Sequence, residues 1–125
     1  MEIPEREALP GNRRVQTAVI GAGMAGILTA YFLKKEGVDV VVVEAGRIAG
    51  GQTKNTTAKI TSQHGLIYQK MMQKAGREKA QNYAMAAEDA VKIYERIIKE
   101  EKVECHFKKL PSYLYTLYKS RIGDL

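Results

Sequence analysis

Hydrophobic and polar positions divide the first part of the chain into a strand, a helix and a second strand. Residues 15–20 are apolar and rich in β-branched side chains, which predicts a buried parallel strand. A helical pattern follows from about Met24 to Glu36, and Gly37 stands where a glycine commonly ends a helix. Residues 38–43 predict a second buried strand that ends at an acidic residue. The order of elements is that of a βαβ unit.

The pattern changes beyond this unit. A short helix is predicted from about Leu66 to Lys74, and a longer amphipathic helix from Arg77 to Glu101. After them, Val103–Phe107 and Tyr113–Tyr118 are expected to pair as a short β-hairpin, with Pro111 in the connection. The sequence therefore predicts an α/β fold in which a βαβ unit is followed by helices and a hairpin.

A glycine-rich turn, GAGMAG, joins the first strand to the helix and fits the pattern G-x-G-x-x-G. Gly21 permits a sharp turn, Gly23 leaves room for a pyrophosphate against the main chain, and Gly26 lets the helix pack closely on the strands. The free N–H groups at the helix start would face the diphosphate. Glu44, at the end of the second strand, can accept hydrogen bonds from an adenosine ribose and would repel the 2′-phosphate of NADP. Together these features predict a Rossmann-like FAD/NAD(P)-binding unit with parallel strands.

The segment from Arg47 to Lys59 is rich in glycine and small polar residues, which predicts a long polar loop. It follows the acidic end of the second strand, where the second half of a dinucleotide would extend. Its glycines allow close approach of the backbone, its threonines offer hydroxyl groups, and its basic residues offer positive charge. An ordinary surface loop is the alternative interpretation, and composition does not decide between the two.

Composition and charge exclude several classes of protein. A chain of 125 residues with 45% hydrophobic and 27% charged residues is typical of one globular domain. Residues 1–14 predict an irregular N-terminal arm, and residues 15–125 the domain. No membrane span or signal peptide is indicated, so a cytoplasmic location is expected. The net charge of +6 is concentrated between residues 47 and 79 without aromatic interleaving, and no nucleic-acid partner is expected.

Cysteine and histidine are scarce. Cys105 is the single cysteine, so the chain can form neither an internal disulfide nor a cysteine-ligated iron–sulfur cluster. It falls in a predicted strand, where a buried structural thiol is expected. His64 and His106 have no metal-ligand spacing to other residues. No metal site is predicted, and no residue is singled out as catalytic.

A longer pattern extends over the glycine turn and both strands. It comprises the three turn glycines together with Ala30, Leu33, Gly37, Val40, Glu44, Arg47 and the pair Gly50-Gly51. In this pattern the chain resembles the amino-terminal FAD-binding part of the D-amino-acid oxidase/glycine oxidase (DAO) flavoprotein family. The segment TTAKITSQHGLIY at 56–68, the long helix and PSYLYT at 111–116 are similar to a bacterial branch whose members often carry a Rieske domain. The similarity covers about residues 10–118.

The resemblance implies FAD as cofactor and an amine or amino acid as substrate, with hydride transfer from a C–N bond to the flavin. It places the FAD diphosphate at the glycine turn, the adenosine ribose at Glu44, and the ribityl and flavin end along Arg47 and residues 51–58. The chain departs from the family pattern at Lys54 and Asn55. The cofactor-binding residues that the resemblance implies are Gly21, Ala22, Gly23, Met24, Ala25, Gly26, Glu44, Ala45, Arg47, Gly51, Gln52, Thr53, Thr57 and Ala58.

Members of that family are several times longer, so the fold is expected to be incomplete relative to the family. We expect these 125 residues alone to be inactive. An unpaired sheet edge and an apolar face are expected to allow homodimerisation. Two alternatives stay open: a non-catalytic truncated fragment that binds a nucleotide weakly or not at all, and an NAD-binding module that needs a partner chain.

Overall fold

The computed structural model describes residue 3 and residues 5–124. The chain forms two compact units that divide between Ala58 and Lys59. The first unit contains β1 (Thr17–Ile20), α1 (Met24–Lys35), β2 (Val40–Val43) and a 3₁₀ helix (Gln52–Asn55). The second contains α2 (Ile67–Ala75), α3 (Arg77–Glu100) and a 3₁₀ helix (Lys119–Asp124).

Strands β1 and β2 pair in parallel, with Thr17 opposite Val40 and Ile20 opposite Val43. One further backbone bond, from the Gly21 N–H to the Val43 carbonyl oxygen at 2.7 Å, extends the pairing past the end of β1. The glycine turn therefore begins directly beside the carboxyl end of β2. This arrangement confirms the predicted βαβ unit and its parallel strands.

Helix α1 packs against both strands, and Gly26 makes the close approach possible. A Cβ atom at Gly26 would lie 2.0 Å from the Gly21 carbonyl oxygen and 3.4 Å from Val19 Cγ1. Such an overlap with backbone is far inside van der Waals contact, so only glycine fits. Gly21 itself has φ of +98°, a conformation that side chains disfavour. The predicted backbone roles of these two glycines are confirmed.

The expectation that both strands are buried is wrong. Side chains along β1 alternate between half-buried and exposed, and Ile20 is 91% exposed. Parallel strands become fully buried when helices cover both faces of the sheet. Val19 lies on the face that α1 covers, whereas Ala18 and Ile20 alternate to the other face. In the described part of the first unit, only Ala22 and Ala30 are buried.

The second unit is built on the packing of α2 against α3. Both helices lie within a residue of the predicted bounds at each end. The Tyr68 hydroxyl donates a hydrogen bond to the Ser62 carbonyl oxygen, and its ring lies 6.2 Å from that of Tyr83. Ala80 is the buried residue of α3. Within the residues that the structure describes, no helix is long and apolar enough to cross a membrane.

The predicted hairpin is not formed, because residues 103–118, all of them described, contain no strand. Positive φ angles at Lys102 and His106 interrupt the extended backbone that a first strand would need. Cys105 is consequently exposed and is not the buried thiol expected from the sequence. β-branched and aromatic residues favour a pleated, half-buried surface, but a strand forms only where another strand pairs with it.

Candidate functional site

The carboxylate of Glu44 joins the end of β2 to the glycine turn. Its Oε2 accepts a hydrogen bond of 2.8 Å from the Ala22 N–H, and its Oε1 accepts one of 2.9 Å from the Gly46 N–H. Ala22 is 1% exposed, so the turn is packed as well as hydrogen-bonded at this point. The acidic residue that the sequence assigns to a ribose therefore also fixes the backbone beside which a nucleotide would lie.

These contacts act on the charge of Glu44. The hydrogen bond from the Ala22 N–H, followed in size by that from the Gly46 N–H, lowers the pKa of the carboxyl below its ordinary value of 4.5, against a smaller opposing effect of desolvation. The group is therefore ionised at neutral pH. A fixed negative charge at the end of β2 favours ribose hydroxyl groups as donors and disfavours a 2′-phosphate.

The amino-terminal end of α1 presents several hydrogen-bond donors. The first helical bond runs from the Ile27 N–H to the Gly23 carbonyl oxygen at 3.0 Å. The Met24 N–H instead donates to Thr53 Oγ1 at 3.1 Å. Within the described part of the chain, the N–H groups of Gly23, Ala25 and Gly26 have no acceptor. Unpaired amides together with the positive end of a helix dipole are suited to an anionic group.

Backbone bonds hold the first part of the polar loop against the turn. The Ala49 N–H donates to the Ala22 carbonyl oxygen at 2.9 Å, and the Lys54 N–H donates to the Ala49 carbonyl oxygen at 3.1 Å. Ala49 has φ of +55°. Sequence reasoning missed both Ala49 and Gly46. Each contributes a hydrogen bond from its backbone N–H group, and the side chain gives no sign of such a bond. The bond from Ala49 to Ala22 ties this loop segment to the turn, and the bond from Lys54 to Ala49 closes the segment on itself.

Other predicted site residues lie apart from this cluster. The Arg47 guanidinium pairs with Glu5 at 2.8 Å, and both side chains are 81% exposed, so the pair contributes little stability. Thr57 and Ala58 are exposed beyond the 3₁₀ helix, and the Ala58 N–H donates to Thr56 Oγ1 at 3.4 Å. The structure thus brings together the turn, Glu44 and Thr53. Among the described residues, it records no hydrogen bond or ion pair of Arg47, Thr57 or Ala58 with that group.

The geometry fits the phosphates and ribose of a nucleotide cofactor. Unpaired backbone N–H groups suit a diphosphate, an ionised carboxylate at the end of β2 suits a ribose, and Gly23 has no side chain to obstruct the approach. A basic loop follows in sequence, with Arg47 and Lys54. Fold and site together define an α/β dinucleotide-binding protein.

Comparison with known proteins specifies the family. The family model for FAD dependent oxidoreductases, DAO, matches residues 16–123. The chain therefore belongs to the DAO family of FAD-dependent oxidoreductases, as the resemblance implied. FAD is the cofactor of this family. No solved structure matches the chain.

Several curated proteins are similar to the chain. The Bacillus subtilis protein YhfW, named as a Rieske 2Fe-2S iron–sulfur protein, is 34% identical over 99% of this chain and 24% of its own length. The Rhizobium meliloti protein OrdL, named as an oxidoreductase, is 27% identical over 96% of this chain and 28% of its own length. D-proline dehydrogenase of Pyrobaculum islandicum is 42% identical over 29% of this chain and 10% of its own length. The chain spans about a quarter of the length of the first two relatives.

The contacts of Glu44 predict a pH-dependent contribution to stability. Because its folded-state pKa is lowered, the contribution is present above the unfolded-state pKa and is lost as the pH falls through the folded-state pKa. Glu44→Gln should therefore lower the urea concentration at which β1 and β2 are half unfolded at pH 7. The difference from the wild type should shrink as the pH falls below 4.5. Urea titrations followed by the NMR signals of the two strands measure this.

Glu7→Gln is the matched control, since the described structure gives the exposed Glu7 side chain no hydrogen bond or ion pair. It should follow the wild type at every pH. A deficit in Glu44→Gln that stays constant from neutral to acidic pH would contradict the assignment.

Proposed function

We propose that this chain is the nucleotide-binding part of an FAD-dependent oxidoreductase of the amine or amino-acid oxidase type, and that its first unit binds the ADP half of FAD. The main support is that the Glu44 carboxylate and the N–H donors at the start of α1 lie together at the carboxyl ends of the two strands. Family membership supplies the identity of the dinucleotide. NAD binding is the alternative that direct titration separates.

Each group has a defined part in this proposal. The N–H groups of Gly23, Ala25 and Gly26 bind diphosphate oxygens, and Glu44 accepts hydrogen bonds from the adenosine ribose. The bond from Ala22 orients the Glu44 carboxylate before a ribose is present. The Gln52–Asn55 segment contacts Met24 through Thr53 and would border the diphosphate there. The more distal predicted positions, Thr57 and Ala58, remain candidates for the ribityl end.

Gly23→Val and Glu44→Ala test this binding. Valine methyl groups would fill the space over the turn, and alanine would remove the ribose acceptor. Each should raise the Kd for FAD about tenfold or more, the cost of losing hydrogen bonds to charged groups. Visible absorption of the purified chain, before and after FAD is added and the sample is desalted, shows retention, and fluorescence titration gives the Kd.

Gly123→Val is the control, because it makes the same change at an open position of the second unit. It should retain FAD like the wild type. Tighter binding of NAD⁺ than of FAD by the wild type would favour the NAD-binding alternative. Equal binding of FAD by all variants would show that Gly23 and Glu44 do not belong to the FAD site.

The substrate class is proposed for the complete enzyme. The chemistry that bound FAD would supply is that of a hydride acceptor, with the hydride coming from the carbon of a substrate C–N bond. An amine or amino acid is supported by the resemblance to the D-amino-acid oxidase/glycine oxidase family. The name D-proline dehydrogenase agrees with it, although that match covers only 36 residues. The described site contains groups that bind a nucleotide and no side chain placed to accept a substrate proton.

For the 125-residue chain we therefore expect FAD binding without turnover. D-proline or glycine, added without oxygen to the FAD-loaded chain, should leave the oxidised flavin absorption unchanged. The matching hydroxy acids, lactate and glycolate, serve as controls for non-specific reduction. Bleaching by the amino acids alone would show that the chain itself oxidises amines, contrary to this proposal.

We also propose that two copies associate through the sheet of the first unit. Each strand has one edge without a partner strand in the described residues, and Ile20 exposes 91% of its surface beside that sheet. Unpaired strand edges and exposed apolar residues favour strand addition between copies. A C₂ dimer would use the same surface twice.

Light scattering over a concentration series measures the association. The wild type should form dimers as concentration rises, and Ile20→Lys should shift the transition to higher concentration. Ile122→Lys, at a position 61% exposed in the second unit, should leave it unchanged. A wild type that is monomeric at the highest concentrations would disprove the proposed interface.

A further inference from the structure

A straight segment of unpaired backbone lies near the end of the second unit. Residues 107–116, all of them described, contain no turn, bend or helix, and none of them has a positive φ angle. Their N–H and carbonyl groups form no hydrogen bond to any residue that the structure describes. The chain bends at Leu117, and the N–H and carbonyl groups of Tyr118 bond to the Thr116 hydroxyl. The segment therefore offers strand-like backbone as far as Thr116.

Side chains along this segment alternate as they do in a strand. Leu114 and Thr116 are half-buried, whereas Tyr113 and Tyr115 are 80% and 78% exposed. The two tyrosine rings therefore stand on one face, next to backbone groups that lack a partner. Exposed apolar side chains beside unpaired strand backbone are the features through which one strand adds to another.

The sequence of the segment is complementary to itself in one antiparallel register. With Leu114 opposite the same residue of a second copy, Tyr113 of each copy lies opposite Tyr115 of the other. On the other face, Ser112 then lies opposite Thr116, which pairs two hydroxyl side chains. Aromatic pairs and pairs of hydroxyl residues both stabilise neighbouring strands.

The position of Pro111 selects the same register. Residues of an antiparallel pair alternate between positions that exchange hydrogen bonds and positions whose N–H points away. If Leu114 occupies a bonded position, Pro111 falls on a position that needs no N–H. A register centred on Tyr115 would require free backbone groups either at Pro111, which has no N–H, or at Tyr118, whose groups are already bonded.

Area and charge also suit a second copy. Four tyrosine side chains, at about 150–250 Å² each, together with the paired backbone can supply the roughly 1,000 Å² that a specific interface needs. Residues 110–118 carry no charged side chain, so pairing buries no charge. Beyond them the register brings Lys119 opposite Lys109 of the second copy, and Glu95, 3.5 Å from Lys109, offsets these like charges. An uncharged, self-complementary surface favours a second copy over a charged partner.

We propose that residues 111–117 pair with the same residues of a second copy as an antiparallel two-stranded ribbon, with Leu114 on the two-fold axis. Each copy uses the same surface, so the contact closes at two copies. This interface is separate from the one proposed for the sheet of the first unit. It does not depend on the binding of a cofactor, and it stands or falls independently of the proposed function.

Tyr115→Lys tests the pairing in the Ile20→Lys protein, where association through the first unit is weakened. The lysine places a charge among the aromatic pairs and should raise the dimer dissociation constant about tenfold or more, because burial of an unpaired charge is costly. Met85→Lys, at an exposed position of α3, is the control and should change the constant by no more than about twofold. Sedimentation equilibrium over a concentration series measures the constants. Equal constants in all three proteins, or an Ile20→Lys protein that is monomeric at every concentration, would overturn the proposal.

Hydrogen exchange distinguishes strand pairing from non-specific association. In the proposed register the N–H groups of Ser112, Leu114 and Thr116 point to the second copy, and those of Tyr113 and Tyr115 point away. The first three amides should become more protected as the concentration rises, while the other two keep the exchange rate of the monomer. Protection that is equal at all five amides, or absent from all of them, would contradict the paired strand.

Cysteine substitutions test the register. Proteins with Tyr113→Cys and with Tyr115→Cys, each also carrying Cys105→Ser, are mixed in the presence of oxidised glutathione. Opposite residues at non-bonded positions have Cα atoms about 4.5 Å apart, which a disulfide can span. The mixed disulfide should therefore form faster than either protein forms a disulfide with itself. Equal rates would show that the two residues are not opposite each other, and the proposed pairing would be wrong.

Discussion

Helix α1 can lie where it does only because Gly26 has no side chain. A Cβ atom there would enter the Gly21 carbonyl group, and the helix would have to move away from β1. Such a movement would separate the helix amino terminus from the carboxyl ends of the strands, where Glu44 binds the Ala22 N–H. The contacts of the candidate site therefore depend on this approach. Alanine would gain about 1 kcal/mol in helix propensity, which does not compensate a backbone overlap of this size.

The Glu44 carboxylate supplies the second constraint, and it acts in two ways. As an acceptor of two backbone N–H groups it fixes the course of the chain on either side of the sheet end. As an ionised group it sets the electrostatic character of the position where a ribose would bind. Neither role interferes with the other, because a carboxylate offers about four lone-pair sites and the two backbone donors use only part of them.

The βαβ unit, the two later helices and the turn glycines could be predicted because their signals are local: periodicity, a glycine spacing and an acid at a strand end. The hairpin could not, because a strand also requires a partner, and residues 103–118 have none among the described residues. The prediction that β1 and β2 are buried was wrong for a related reason. Burial depends on which element covers the second face of the sheet, and the local sequence does not show that. The contact between Thr53 and Met24 joins residues far apart in sequence, and no spacing rule indicates it.

Every group of the candidate site lies in one continuous segment, from Gly21 through Glu44 to Thr53, within the first unit. A binding site assembled from distant parts of a chain cannot be moved without the rest of the fold. A site encoded in one stretch can pass between genes as a single piece of sequence and keep its internal hydrogen bonds. Relatives can then share this stretch while the remainder of each protein diverges toward a different chemistry.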